Sequence, residues 1–209
     1  MHKRGAKVAI LASGEGTNAE RLIRRTHSAS NVEIVLVAGN RPEAGALVRA
    51  SRLGIPTWAF SKGDLEGGEV TRRLEEMGVD FVALAGFLLK VPSSLLSAYG
   101  GQILNLHPSL LPAFGGRGMY GRHVHQAVFE ALQEQKVSET GITMHWVDAE
   151  YDTGPAFFQK ATPLTSGDTA ASIANKIQAL EEAHYAEEAL RAIRESLSLS
   201  QKMSEKTSA

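Results

Sequence analysis

The stretch Val-Ala-Ile-Leu-Ala-Ser-Gly-Glu-Gly-Thr-Asn, residues 8–18, decides the fold class of this chain. An apolar run that ends in a glycine-rich turn is typical of a buried strand leading into a helix. The alternation continues, with strands predicted at residues 8–11, 32–37, 55–60 and 79–85 and helices at 18–26, 44–53 and 70–77. Such alternation predicts an α/β fold with a mostly parallel, twisted sheet and right-handed crossovers.

The second half of the chain follows a different pattern. The short apolar run of Ile103 and Leu104 reads as a strand that leads into Asn105, and a helix is predicted at 124–133. Residues 141–147 and 156–160 read as two late strands that pair antiparallel at one side of the sheet, and residues 170–194 as a long closing helix. We predict one domain, residues 1–197, followed by a flexible polar tail, residues 198–209.

Composition limits the classes of function. The chain has 209 residues, a net charge of −1 and no cysteine. Charge near zero argues against a nucleic-acid or membrane partner, and the lack of cysteine excludes disulfides, thiolate catalysis and cysteine-bound metal. The apolar run after the basic N-terminus is too short for a signal peptide or a membrane span, so we expect a soluble, cytoplasmic protein.

An amide and an imidazole lie two residues apart in Asn-Leu-His-Pro-Ser-Leu-Leu-Pro, residues 105–112. Side chains alternate along a strand, so Asn105 and His107 should point the same way. An amide that polarises a carbonyl, beside a base that moves a proton, suits acyl transfer. A strand end with polar residues that carry no function is the alternative.

The glycine-rich turn at residues 13–18 is a candidate phosphate site. Ligands bind at the carboxyl ends of strands in open α/β sheets, and glycines let the backbone approach an anion at a helix N-terminus. A monophosphate fits best, because Arg41 and its neighbours replace the acidic residue that a dinucleotide site requires. An NADP site and a turn that only caps the helix stay as alternatives.

Other polar residues have two interpretations each. Asp152 lies in Asp-Thr-Gly-Pro, which by itself favours a simple turn. Glu181 belongs to the last predicted helix, where most carboxylates face solvent, and residues 115–121 form either a cover for a site or a surface connection. His123 and His125, with His107, suggest zinc, but no further ligand has suitable spacing, so we expect no metal.

Five motifs in order give a specific resemblance. They are Ser-Gly-Glu-Gly-Thr-Asn at 13–18, Leu-Ala-Gly-Phe at 84–87, the block at 105–112, His-Val-His-Gln-Ala at 123–127 and Asp-Thr-Gly-Pro at 152–155. Together, over about residues 7–190, they resemble the folate-dependent phosphoribosylglycinamide formyltransferases. The related tRNA formyltransferases and the formyltetrahydrofolate hydrolases carry an extra domain for which we expect no room here.

The resemblance implies a Rossmann-like formyltransferase fold and a one-carbon transferase of purine biosynthesis. The reaction implied moves the formyl group of 10-formyltetrahydrofolate, a co-substrate, to the amine of 5-phosphoribosylglycinamide, without a metal and with small-molecule partners only, in a monomer or homodimer. The residues implied are Asn105, His107 and Asp152 for catalysis; Gly16, Thr17 and Asn18 for the phosphate; Glu181 and Pro108 for the substrate; and Leu88, Leu89, Lys90, Val91, Asn105 and Asp148 for the folate.

Two segments depart from that family. Residues 115–122 are longer and richer in glycine, so the shape of this loop is not predicted. Residues 61–69 contain no arginine that could reach the folate, and Leu89 with Lys90 is the candidate substitute. Three rival functions stay open: an NADP-dependent oxidoreductase, a folate- or nucleotide-binding protein without catalysis, and a formyltetrahydrofolate hydrolase.

Overall fold

A seven-stranded sheet runs through the centre of the computed structural model, which describes residues 5–28 and 31–207. Its strands are β1 (Ala6–Ala12), β2 (Val32–Gly39), β3 (Thr57–Ala59), β4 (Phe81–Leu84), β5 (Ile103–His107), β6 (Glu139–Trp146) and β7 (Ala156–Pro163). The helices are α1 (Thr17–His27), α2 (Gly45–Arg52), α3 (Lys62–Glu66), α4 (Glu69–Glu76), α5 (Ser93–Tyr99), α6 (Arg122–Gln133) and α7 (Ala170–Thr207).

The strand order creates a crevice beside β1. The order is β3-β2-β1-β4-β5-β6-β7, so the chain leaves β1 toward one edge and returns at β4 to build toward the other. The first five strands in this order, β3, β2, β1, β4 and β5, are parallel. Strand β6 pairs antiparallel with both β5 and β7. The predicted α/β fold with a late antiparallel pair is confirmed, and the point where the order reverses is where ligands bind in such sheets.

Helices cover both faces of the sheet, which explains why β4 is wholly apolar and β1 is apolar except for Lys7. On β1, Val8 and Ile10 pack in the core formed with α1, α2, α6 and α7. Ala9 and Leu11 point to the opposite face, where residues of α3, α4 and α5 form a second core. A strand buried on both faces loses the polar–apolar alternation that marks a half-exposed strand.

The structure corrects some element boundaries. Strand β3 covers only Thr57–Ala59 at the edge of the sheet, shorter than the predicted 55–60, because Pro56 has no N–H for the ladder. The helices α3 and α5 were not predicted, since each is too short to show a 3.6-residue period. A capping box between Ser61 and Asp64 starts α3.

The closing helix is longer than predicted. It begins at Ala170, as expected, and its backbone continues to Thr207, through most of the predicted tail. Residues 208–209 lie outside the described residues, and the domain boundary at residue 197 stays a prediction. Among the described residues, no helix is both long enough and apolar enough to cross a membrane.

Candidate active site

A cavity of about 410 Å³ opens where β1, β4 and β5 end. Its volume is within the range of pockets that hold small molecules. The turn after β1, the loop after β4, the end of β5 and the loop between β6 and β7 all reach it. The structure brings every predicted site residue to this one cavity: Gly16, Thr17, Asn18, Leu88, Leu89, Lys90, Val91, Asn105, His107, Pro108, Asp148, Asp152 and Glu181.

The turn after β1 presents backbone N–H groups to one end of the cavity. Gly16 is the N-cap of α1, adopts a left-handed conformation with φ 76°, and supplies no side-chain acceptor to the helix. The first N–H groups of α1 are therefore left for a ligand, at the positive end of the helix dipole. Arg49 of α2 holds the turn from behind, because its Nε donates to the Glu15 carbonyl oxygen over 2.8 Å.

Replacing Gly16 by alanine should disrupt this turn. Alanine is strained at this φ, and its Cβ would lie 2.3 Å from the Cα of Ala46. We expect Gly16→Ala to lower Tm by about 5–10 °C in a thermal melt. Gly14→Ala is the matched control, because nothing lies within 4 Å of its added Cβ. Equal melting shifts for both variants would contradict the prediction.

Strand β5 places Asn105 and His107 on the cavity side, as their spacing predicts. Leu104 and Leu106, which alternate with them, pack in the core on the opposite face. The buried leucines therefore fix the direction of the two polar side chains.

The ring of His107 is buried between two acceptors. Its Nε2 donates to the carbonyl oxygen of Phe114 over 2.8 Å, and its Nδ1 lies 3.4 Å from Oδ2 of Asp152. Burial lowers the pKa of His107, although the Asp152 charge and the Phe114 carbonyl oppose that effect. The neutral ring thus carries its hydrogen on Nε2, and a proton arriving at Nδ1 would meet the carboxylate.

Asp152 is held from three sides on the loop between β6 and β7. Its Oδ2 accepts from the Gly116 N–H over 2.9 Å, and its Oδ1 lies 3.6 Å from Nε2 of His145. Burial raises the pKa of Asp152, but His145, His107 and the Gly116 N–H together outweigh burial and hold it below the ordinary value. Asp152 is therefore an ionised carboxylate beside His107, rather than only a turn residue.

His145 is a site residue that the sequence did not reveal. It lies opposite Asn105 in the β5–β6 register, and its Nε2 lies 3.1 Å from the Asn105 amide nitrogen. Its Nδ1 lies 3.0 Å from the Trp146 carbonyl oxygen, which only accepts, so Nδ1 carries the hydrogen. In the neutral ring Nε2 then accepts from Asn105, and the second N–H of that amide remains for a ligand. The charged ring instead presents an Nε2–H toward Asp152.

Two loops form the apolar wall of the cavity. The loop at residues 86–91 is tied to the turn after β1, because the Ser13 hydroxyl accepts from the Leu88 N–H over 3.0 Å. Lys90 reaches the loop that carries Asp152, where its Nζ lies 3.7 Å from Glu150 and 5.6 Å from the centre of the Tyr151 ring. The wall combines an apolar surface with one cation at its rim.

The glycine-rich loop at residues 115–122 lines the cavity rather than running over a remote surface. Gly116, Gly118 and Gly121 take positive φ angles there, a backbone path that other residues rarely adopt. Met119 and Tyr120, between these glycines, also line the cavity. His123 packs edge-on against Tyr120 with ring centres 5.2 Å apart, and no cluster of metal ligands occurs in residues 5–28 and 31–207.

Glu181 of α7 faces the end of the cavity that the turn after β1 forms. Its Oε2 accepts a hydrogen bond from the Asn18 amide over 2.9 Å. Burial raises the pKa of Glu181, while the Asn18 hydrogen bond and the charge of Arg21 oppose that effect. A carboxylate on the long helix is thus part of the cavity, in contrast to the solvent-exposed alternative.

Comparison with known proteins identifies the family. Residues 6–189 match the family model described as formyl transferase. The chain belongs to the formyl transferase family. The resemblance read from the five motifs is thereby confirmed, and its Rossmann-like fold agrees with the sheet described above.

Two named relatives are phosphoribosylglycinamide formyltransferases, and one solved structure has a matching name. The chain is 37% identical to the chloroplastic phosphoribosylglycinamide formyltransferase of Arabidopsis thaliana, over 88% of this chain and 64% of that protein. It is 34% identical to the phosphoribosylglycinamide formyltransferase of Bacillus subtilis, over 86% of this chain and 90% of that protein. The crystal structure of glycinamide ribonucleotide transformylase 1 from Symbiobacterium toebii aligns with a TM-score of 0.78 and 32% identity, covering 91% of this chain and 86% of that one.

Several relatives are much longer than this chain. The chain spans 64% of the Arabidopsis protein and as little as 13% of other curated relatives that it matches. The family is shown over residues 6–189 of this chain.

Proposed function

We propose that this protein transfers the formyl group of 10-formyltetrahydrofolate to the amine of 5-phosphoribosylglycinamide. The products are formyl-phosphoribosylglycinamide and tetrahydrofolate, a step of de novo purine (IMP) biosynthesis. The observation that carries the proposal is the meeting of Asn105, His107 and Asp152 in the cavity that also receives the turn at Gly16. The names of the bacterial and plant relatives support the choice of substrate.

The phosphate end of the cavity suits the acceptor substrate. Thr17 and Asn18 offer N–H groups at the start of α1, where an anion is favoured by the dipole and by unpaired donors. Gly16 lets the backbone approach closely. Glu181 supplies an acceptor to the sugar or amide part of the substrate, and Pro108 lines the path toward the reacting amine.

The apolar wall suits the folate. Leu88, Leu89 and Val91 offer a surface for a flat heterocycle, and Asp148 with Asn105 offers polar contacts. Lys90 at the rim suits the carboxylates of the folate tail. When bound, the folate supplies the formyl group from its N10 nitrogen.

The side chains divide the chemistry among them. The substrate amine has a pKa near 8 for its α-amino type, so part of it is already nucleophilic at neutral pH. The Asn105 amide donates its second N–H to the formyl oxygen as negative charge develops there. His107 accepts a proton from the attacking nitrogen and passes it to the leaving nitrogen, while Asp152 stabilises the charged imidazole. No covalent bond to the protein is required.

Loss of the formyl donor, followed with and without 5-phosphoribosylglycinamide, tests the proposal. We expect donor loss only when the acceptor is present, with one formylated acceptor formed for each donor consumed. Formate release without acceptor would instead indicate a hydrolase, and ligand binding without any turnover would indicate a binding protein. Quenching of nicotinamide fluorescence on mixing with NADPH would favour the oxidoreductase.

The cytoplasmic location and the monomeric or homodimeric state stay predictions. Both follow from composition and from the family resemblance, and neither is required for the chemistry above. Gel filtration at several protein concentrations measures the oligomeric state directly.

A further inference from the structure

A chain of polar contacts joins α1 to α7 behind the phosphate end of the cavity. Arg21 lies one helical turn after Asn18, and its Nη1 donates to the Asn18 Oδ1 over 3.1 Å. The Asn18 Nδ2 in turn donates to the Glu181 carboxylate over 2.9 Å. At the outer end, the Arg21 Nη2 lies 3.1 Å from a carboxylate oxygen of Glu182.

We infer that Arg21 is a positioning residue for the acceptor substrate, because it sets the amide orientation of Asn18 and thereby the position of the Glu181 carboxylate. The inference rests on the proposed function, since it assigns Glu181 to the bound 5-phosphoribosylglycinamide. Arg21 itself does not line the cavity, whereas Asn18 and Glu181 do.

The donors and acceptors allow only one arrangement of the amide. Arginine has N–H donors and no acceptor, so the oxygen of the Asn18 amide must face Arg21. The nitrogen of the amide then faces Glu181, which accepts as a carboxylate. Without Arg21 the amide is free to rotate, and its oxygen would meet the Glu181 oxygens without any hydrogen bond.

The ion pair between Arg21 and Glu182 joins a mostly buried side chain to an exposed one. The Arg21 side chain is 23% exposed, whereas the Glu182 side chain is 68% exposed. Because an exposed ion pair contributes little, the contact with Glu182 orients the guanidinium rather than stabilising the fold. The charge of Arg21 also favours the ionised form of Glu181 against the burial that raises its pKa.

The test is Arg21→Met, which keeps the aliphatic stem and removes the donors and the charge. We expect the Kd of 5-phosphoribosylglycinamide, measured by calorimetry without folate, and its KM to rise about tenfold. The value of kcat and the KM for the folate should stay within about twofold, because the reacting groups lie at the other end of the cavity.

Two further variants separate positioning from a general effect on α1. Arg24→Met is the matched control on the same helix, since among the described residues Arg24 pairs with Glu20 alone, and its side chain is 63% exposed. We expect its kinetics to match the wild type. Arg21→Lys keeps a charged donor and should recover most of the affinity. Arg21→Leu, which also lacks donors and charge, replaces the methionine variant if that variant folds poorly.

A double-variant cycle shows whether the effect runs through the carboxylate. In a Glu181→Gln background, Arg21→Met should add less than about twofold to the loss of affinity, since coupled residues are not additive. Additive losses, or an unchanged Kd in Arg21→Met and Arg21→Lys, would overturn the inference. A wild-type protein that neither binds nor formylates 5-phosphoribosylglycinamide would instead overturn the proposed function.

Discussion

Replacing Asp152 by asparagine is expected to lower kcat about 10²- to 10⁴-fold, while the Kd of 5-phosphoribosylglycinamide changes less than about twofold. Asparagine has nearly the same shape and tolerates the positive φ of 58° at this position, so the variant removes mainly the negative charge. Without that charge the protonated form of His107 loses its partner at Nδ1. Steady-state kinetics and calorimetry on the same preparation measure the two quantities.

A titration of the His107 ring by NMR links the loss of turnover to its cause. Burial already lowers the pKa of His107, and the Asp152 charge opposes that effect. In Asp152→Asn the pKa should therefore fall further, and the protonated ring should be rarer at every pH. Glu150→Gln on the same loop is the control, because Glu150 is exposed and should leave kcat unchanged. Wild-type turnover in Asp152→Asn would remove the carboxylate from the mechanism.

Asn105→Ala is expected to lower kcat about 10²- to 10³-fold, the usual cost of losing one donor to a developing oxyanion. Its KM for the folate should change less than about tenfold, because a single neutral hydrogen bond contributes modestly to binding. Comparing kcat with the folate KM decides between a catalytic role and a binding role. A higher folate KM with an unchanged kcat would indicate binding alone.

The double variant Asn105→Ala with Asp152→Asn tests whether the two side chains act together. If Asn105 and Asp152 serve one transition state, then the double variant should lose much less than the product of the single losses. A loss equal to that product would mean that the two side chains contribute independently.

Local patterns in the sequence predict the parts of the fold and site that depend on neighbouring residues. The alternation of side chains along a strand is enough to place Asn105 and His107 on one face, and the glycine-rich turn is enough to start α1 at the crevice. Asp152 is different, because Asp-x-Gly-Pro alone favours a turn. Its place beside His107 was suggested only by the resemblance to the family.

The remaining features depend on contacts between distant segments. His145 joins the site because β6 pairs with β5 in the register that sets it opposite Asn105, and no local pattern specifies that register. The path of residues 115–122 depends on three glycines with positive φ, whose values a sequence does not state. The role of Arg21 was not predicted either, since Glu182 and the carboxylate of Glu181 that Asn18 contacts come from α7, far along the chain.

Under the proposed function, the reversal of strand order beside β1 separates recognition of the acceptor from transfer of the carbon unit. In that proposal the first turn and the long final helix bind the sugar phosphate, while the antiparallel end of the sheet contributes His145 and Asp152. A protein engineer could therefore redirect this scaffold to another amine by rewriting α1 and α7 alone. The chemical apparatus on β5 to β7 would be left as it is.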